Sequence, residues 1–303
     1  VAQGLCPFLV VTVKDQPFGR RRQLQPTPVK QAALELNLEC WQPASLKKSA
    51  TLQKFQALDF DFGVVVSYGK IIPESILQTA GKCFLNVHPS ALPRFRGAAP
   101  MERAILAGDE KTAVCIMQMT PGLDDGPVLL SQELTIPVDM DIVELKSQLS
   151  AISCKLLPEA ILGFDRLFPF RCEQTSERVL YADKIISSDG FVDISSEDGI
   201  CIYNKIRAMA LSGGVSFSLG DKKLSVFKAR FVKQDNHSYA LGEIVAADKK
   251  ELAIALMGGL LFIDELQLAG KKRLPVREFL SGMRLQKGDF FGSWPLDNRE
   301  TGS

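Results

Sequence analysis

Residues 86–100, NVHPSALPRFRGAAP, place an asparagine and one of the chain's two histidines two positions apart. A strand-like run, Cys83 to Val87, ends beside them, and Pro89, Pro93, Pro100 and Gly97 keep the next stretch out of a helix. Imidazole titrates near neutrality and suits proton movement in group transfer. A carboxamide can donate to a carbonyl oxygen as that oxygen gains negative charge. On extended chain, residues i and i+2 project to one side, so Asn86 and His88 are expected to face one substrate. The carboxyl ends of strands are where open α/β sheets hold ligands, so the pair is expected to face solvent. The competing reading makes His88 a structural cap on the strand end. Residue types alone leave both standing.

A second cluster is MQMTPGLDDGP, residues 117–127. A strand runs out into Pro121-Gly122, and glycines and prolines bracket two acids. Asp124 is the functional candidate, because Asp125 abuts Gly126-Pro127 and suits an Asx-type turn. A carboxylate near an imidazole raises its pKa or orders a water. Alone, Asp124 reads as a turn residue. Its place after a strand of the same sheet as His88 makes it the third member of a candidate trio. A third cluster, Arg20, Arg21 and Arg22, lies in the polar stretch 14–26 at another strand's carboxyl end. Such runs are usually solvated surface, yet this position suits a phosphate-rich partner. Lys271, Lys272 and Arg273 form a further basic set, for which weak electrostatic docking is the most to infer. His237, in KQDNHSYA, reads as a loop residue.

The elements that must hold these groups follow from hydrophobic pattern. Phe8–Val13, Phe62–Ser67, Cys83–Val87, Ala113–Met119 and Val128–Leu134 read as buried strands. Helical stretches lie at Val29–Leu38, Pro73–Thr79, Ala99–Ala107 and Met140–Phe164. Near-continuous apolar strands alternating with helices imply a parallel sheet covered on both faces. The rhythm is lost over residues 165–190, which read as a linker. A helix at Ile200–Leu211 follows. Short strands come next, at Val215–Leu219, Lys223–Ala229, Gly242–Ala246, Leu252–Leu256 and Gly259–Leu268, the pattern of a small closed or half-closed barrel.

Bulk properties exclude several classes. With 303 residues, 46% hydrophobic and 23% charged, the chain has the composition of a globular protein. A formal net charge of +1 leaves only local basic patches to attract nucleic acid. Seven dispersed cysteines without a C-x-x-C pair read as reduced thiols in a cytosol-like compartment, with Cys83 and Cys115 as small buried hydrophobes. No apolar run is long enough to span a membrane. Neither a G-x-G-x-x-G nor a Walker pattern occurs, and no metal-ligand spacing occurs, so neither a nucleotide cofactor nor a metal is indicated.

Taken together, NVHPSALPRFRGAAP and IMQMTPGLDDGPVLL (116–130) resemble the formyltransferases that use 10-formyltetrahydrofolate. The segments LQPTPVK (24–30), VVVSYGKIIP (64–73), RGAAPMERAILAGD (96–109), LSVFKA (224–229) and LQLAGKK (266–272) are similar to the members acting on methionyl-initiator-tRNA. The likeness runs from Val10 to about Phe290. It implies a Rossmann-like, mostly parallel α/β sheet followed by a small OB-like β-barrel. The corresponding division is a catalytic domain over 1–170, a linker over 171–192 and a tRNA-binding barrel over 193–303. It implies that Asn86, His88 and Asp124 are catalytic, and that Ser90, Ala91, Leu92, Pro93, Tyr68 and Gly69 contact folate. Arg20, with Arg21 and Arg22, and Lys271 and Lys272 are implied to meet tRNA. The co-substrate would be 10-formyltetrahydrofolate, without a metal, in a monomer of the bacterial cytoplasm or an organelle matrix.

Three departures from the family pattern stand out. The family has a strand and turn ahead of the Phe8–Val13 strand, and residues 1–7 do not supply them; the functional protein is expected to have that strand. Met209–Gly214 replaces a Pro-Trp-Pro type segment. Pro89 and Asp125 stand where glycine and threonine are common. Two same-fold alternatives act on an amino-sugar nucleotide or hydrolyse 10-formyltetrahydrofolate. An RNA-binding module would leave the trio unexplained.

Overall fold

The computed structural model describes residues 4–18, 23–234, 237–248 and 250–295. The chain opens with β1 (Leu9–Val11), then β2 (Gln16–Phe18) and β3 (Gln23–Gln25). These are followed by α1 (Pro28–Glu35), β4 (Glu39–Trp41) and α2 (Ser49–Gln56). Helix α1 starts where its sequence dictates: Pro28 fills the first turn and the Thr27 hydroxyl accepts from the Lys30 N–H at 3.1 Å. Next come β5 (Phe62–Val65), α3 (Glu74–Leu77), β6 (Cys83–His88), β7 (Arg96–Gly97), α4 (Pro100–Leu106), β8 (Lys111–Gln118) and β9 (Val128–Thr135). Helices α5 (Ile142–Leu162) and α6 (Phe164–Leu167) precede β10 (Tyr181–Ala182) and α7 (Gly199–Met209). The remainder is β11 (Val215–Leu219), β12 (Lys222–Lys233), β13 (Ile244–Ala247), β14 (Leu252–Leu256), β15 (Gly259–Leu268), β16 (Leu274–Pro275) and α8 (Val276–Gly282).

The chain forms two compact units, one from residues up to 96 with 113–132 and 151–179, the other from 97–112, 133–150 and 180 onward. In the first unit β5, β6, β8 and β9 lie in that order in one sheet. Strands β5 and β6 are parallel, with Val65 opposite Asn86. Strands β6 and β8 are antiparallel, with Asn86 opposite Met117 and His88 opposite Cys115. The parallel pair β1 and β4 forms a separate two-stranded sheet. The mostly parallel sheet expected is modified on two counts: β8 runs antiparallel to β6, and the strands fall into separate sheets. A strand buried on both faces reads as the same apolar run whichever way it points, so its direction is not in the pattern. Nor does the pattern say which strands are neighbours. The stretch expected as a polar loop over residues 14–26 contains the β2–β3 hairpin, in which Gln16 pairs Gln25. Its polar residues carry no alternation to announce it.

The core of the first unit is the middle of its sheet. Leu85, Val114 and Ile116 are fully buried, and Cys83 and Cys115 are buried free thiols, as expected of small hydrophobes. In the second unit the order is β11-β12-β15-β14-β13, with β16 beside β15. Helix α7, capped by Asp198 at the Ile200 N–H, contributes buried Ile202 and Ile206. Residues 289–292 bond near both outer strands. Ser218 and Gly292 exchange two backbone bonds at 2.9 Å, Phe291 donates to Gly242 at 2.9 Å, and Ile244 donates to Asp289 at 2.7 Å. The stretch expected as linker contains α6, 3-10 turns at Phe168–Phe170 and Ser187–Gly190, and β10.

Candidate active site

Strand β6 delivers the first two groups. Its Leu85 and Val87 side chains are buried, which fixes the face on which Asn86 and His88 stand. Both meet Asp124, from the loop between β8 and β9. The Asn86 carboxamide donates to Asp124 Oδ1 at 3.1 Å, and Asp124 Oδ2 lies 3.7 Å from His88 Nδ1. Groups 38 positions apart in sequence thus share one cluster, as expected.

His88 departs from expectation in its burial: the residue is 3% exposed rather than facing solvent. The reason is the turn after β6, which folds back so that the Phe95 carbonyl lies 2.9 Å from His88 Nε2. A carbonyl only accepts, so Nε2 carries the hydrogen and Nδ1 is the nitrogen left to take a proton. The structural-cap reading is met at Nε2, while Nδ1 is the ring nitrogen turned towards Asp124. Burial pushes the His88 pKa below its ordinary value, while Asp124 and the Phe95 carbonyl pull it back up.

Asp124 itself adopts the left-handed backbone conformation, with φ 48°. Gly126 explains why the loop fits so closely, since a Cβ there would stand 1.9 Å from the Gln118 carbonyl oxygen. Asp125 turns away to its neighbour Thr120, whose hydroxyl donates to it. That makes Asp125 an anchor of the loop.

The turn over residues 89–95 is built from inside. Ser90 is fully buried and its hydroxyl donates to the Arg94 carbonyl at 2.7 Å. The Cys115 thiol donates to the Ser90 carbonyl at 3.1 Å, and burial pushes that thiol up to about 11. Ala91, Leu92 and Pro93 are half-buried. Tyr68 is half-buried against the apolar group of Leu46, Phe55, Ile76 and Phe84, and burial raises its pKa; Gly69, at φ 71°, has open space around it. Lys271 and Lys272 are exposed, in the second unit, after β15. Arg273 instead pairs with Glu265 and lies over the Phe227 ring. His237 lies in a loop, as expected, with Nε2 2.8 Å from the Leu256 carbonyl. Arg20, Arg21 and Arg22 lie outside the described residues. No group of metal-ligating side chains occurs among the described residues.

One residue escaped the sequence reading. Gln174, in the expected linker, donates to the backbone carbonyls of Asp124 at 2.9 Å and Gly126 at 2.7 Å. A polar residue in an unpatterned stretch gives no signal of such a role.

An amide, an imidazole and a carboxylate meet at the end of a sheet strand on an α/β scaffold, an arrangement suited to acid–base group transfer. The chain belongs to the formyl transferase family: residues 6–161 match the formyl transferase profile and residues 184–284 that of the formyl transferase C-terminal domain. A methionyl-tRNA formyltransferase of Dechloromonas aromatica is 38% identical over 284 residues, covering 93% of this chain and 90% of that protein. Another, from Citrifermentans bemidjiense, is 36% identical over 294 residues, covering 96% and 91%. Among solved structures, HypX from Aquifex aeolicus in complex with tetrahydrofolic acid has a TM-score of 0.60 at 18% identity, over 93% of this chain and half the length of HypX, 50%. An N-formyltransferase from Helicobacter canadensis, in complex with folinic acid and dTDP-3-aminofucose, has a TM-score of 0.60 at 14% identity, over 88% and 99%. These two show the fold.

Proposed function

We propose that this protein transfers the formyl group of 10-formyltetrahydrofolate to the α-amino group of methionyl-initiator-tRNA, supplying formyl-Met-tRNA for translation initiation. The observation that carries the chemistry is the convergence of Asn86 and His88 on Asp124. The acceptor is supported by relatives named methionyl-tRNA formyltransferase along nearly the whole chain.

In the reaction the amine nitrogen attacks the formyl carbon and the bond from that carbon to the folate nitrogen breaks. Asn86 has a second amide hydrogen to donate to the formyl oxygen as it gains charge. His88 Nδ1 takes the proton from the attacking amine and returns it to the leaving nitrogen. Asp124 stabilises the imidazolium in between. The half-buried Ala91, Leu92 and Pro93 offer the folate a contact surface, with Ser90 shaping the turn from within. Tyr68 and Gly69 border the folate on the loop after β5.

We assign residues 1–170 to the catalytic domain, 171–192 to the linker and 193–303 to a C-terminal OB-like barrel. Barrel closure is supported by residues 289–292 bonding both to β11, at Ser218, and to Gly242 and Ile244 at β13. Arg20, Arg21, Arg22, Lys271 and Lys272 are the basic groups assigned to tRNA phosphates. The protein works as a monomer in the bacterial cytoplasm. No helix of the described residues is long and apolar enough to cross a membrane, and the relatives named above are bacterial.

The test is incubation with 10-formyltetrahydrofolate and charged initiator tRNA, following formyl transfer, with an amino-sugar nucleotide and water as competing acceptors. Formylation of the tRNA is expected, and its loss in His88→Ala. Transfer to the sugar nucleotide alone, or release of formate alone, replaces this assignment with one of its same-fold alternatives.

A further inference from the structure

Residues 172–174 run beside the loop that carries Asp124. Val128 and Cys172 exchange backbone hydrogen bonds, each 2.8 Å long. Two residues on, the half-buried Gln174 donates through Nε2 to Asp124 O at 2.9 Å and to Gly126 O at 2.7 Å. Its Oε1 accepts from Arg96 Nε at 3.0 Å. Arginine can only donate, so Arg96 fixes the amide with its oxygen towards the guanidinium and its nitrogen towards the loop. Both amide hydrogens are then committed to the loop backbone. The loop needs such a hold, because Asp124 sits at φ 48°, a conformation that L-residues rarely adopt.

We propose that Gln174 is a positioning residue. By clamping the peptide carbonyls on either side of Asp125, it keeps the Asp124 carboxylate between Asn86 and His88. This rests on the reading of those three side chains as the reacting groups. Asp125 bonded to Thr120 anchors the same loop from its other side. The groups that face His88 are Asp124 from the loop and Cys115, opposite it in the strand register, whose thiol stays protonated at neutral pH.

The test compares Gln174→Ala with Gln174→Met, which keeps the volume but has no donor, in the full chain. Two readouts are taken: kcat and KM for formyl transfer, and the titration of His88 by NMR without substrates. The chain has two histidines, and the His88 signal is the one lost in His88→Asn. Both variants are expected to lower kcat about tenfold with KM values within about twofold. Both should lower the His88 midpoint, because the carboxylate that favours its charged form drifts away. Full kcat or an unchanged midpoint in Gln174→Met overturns the proposal. Normal turnover by His88→Asn would instead sink the acid–base reading, while the titration still decides whether Gln174 holds Asp124 against the ring.

Discussion

His88 holds the Phe95 carbonyl at Nε2 and has the Asp124 carboxylate 3.7 Å from Nδ1, yet burial opposes its charge. The pKa lies below the ordinary 6.5, so the acid limb of kcat/KM is expected below pH 6.5. Asp124→Asn should move that limb lower still, since the carboxylate raises the His88 pKa. The same shift has a stability consequence. The unfolded chain takes up the His88 proton at about 6.5 and the folded chain only at lower pH. Its contribution is therefore present in full above 6.5 and lost as pH falls through the folded value. Chemical denaturation at pH 7.5 and pH 5 should show a smaller loss of stability in His88→Gln than in the parent. Asn86→Ala is expected to lower kcat about 10²–10³-fold if its amide meets the oxyanion, measured at saturating substrate. At this scale the sequence was informative where residue type is itself chemical: Asn86, His88 and Asp124 stood out. Gln174 did not, because its role lies in two backbone carbonyls that no side-chain pattern marks.

Elements carry the geometry between these residues. Leu85, next to Asn86 in β6, is fully buried, and Leu85→Ala should cost about 2–5 kcal/mol by denaturant titration. Gly126→Ala places a Cβ against the Gln118 carbonyl, so it should destabilise by about 1–3 kcal/mol and lower kcat as the loop shifts. An undiminished kcat there would mean that the loop's path does not set the position of Asp124. Most elements were readable because β-branched runs and helical spacing announce them; β14 and β15 fall at the expected residues. Helix α2, SATLQKFQ, was not, since Leu52 and Phe55 alone form too narrow an apolar stripe. The direction of β8 was equally hidden. It depends on the path of residues 89–110, not on the composition of the strand.

For the whole molecule the net charge of +1 makes tRNA affinity a matter of local basic groups. Lys271→Ala with Lys272→Ala should reduce the salt slope of tRNA binding by roughly 0.7–0.9 per lysine, leaving kcat at saturating tRNA unchanged. A slope equal to the parent's would remove those lysines from the tRNA interface. The compact units are assembled from interleaved stretches of chain, whereas composition is read along it, so their make-up is not a property that the sequence displays. The clasp formed by residues 289–292 has a practical corollary. Shortening the protein to residue 288 would strip the partners from Ser218 and Gly242 and leave two open sheet margins, inviting self-association. A carboxyl-terminal fusion attached after Pro295 spares that clasp, so any tag belongs beyond it.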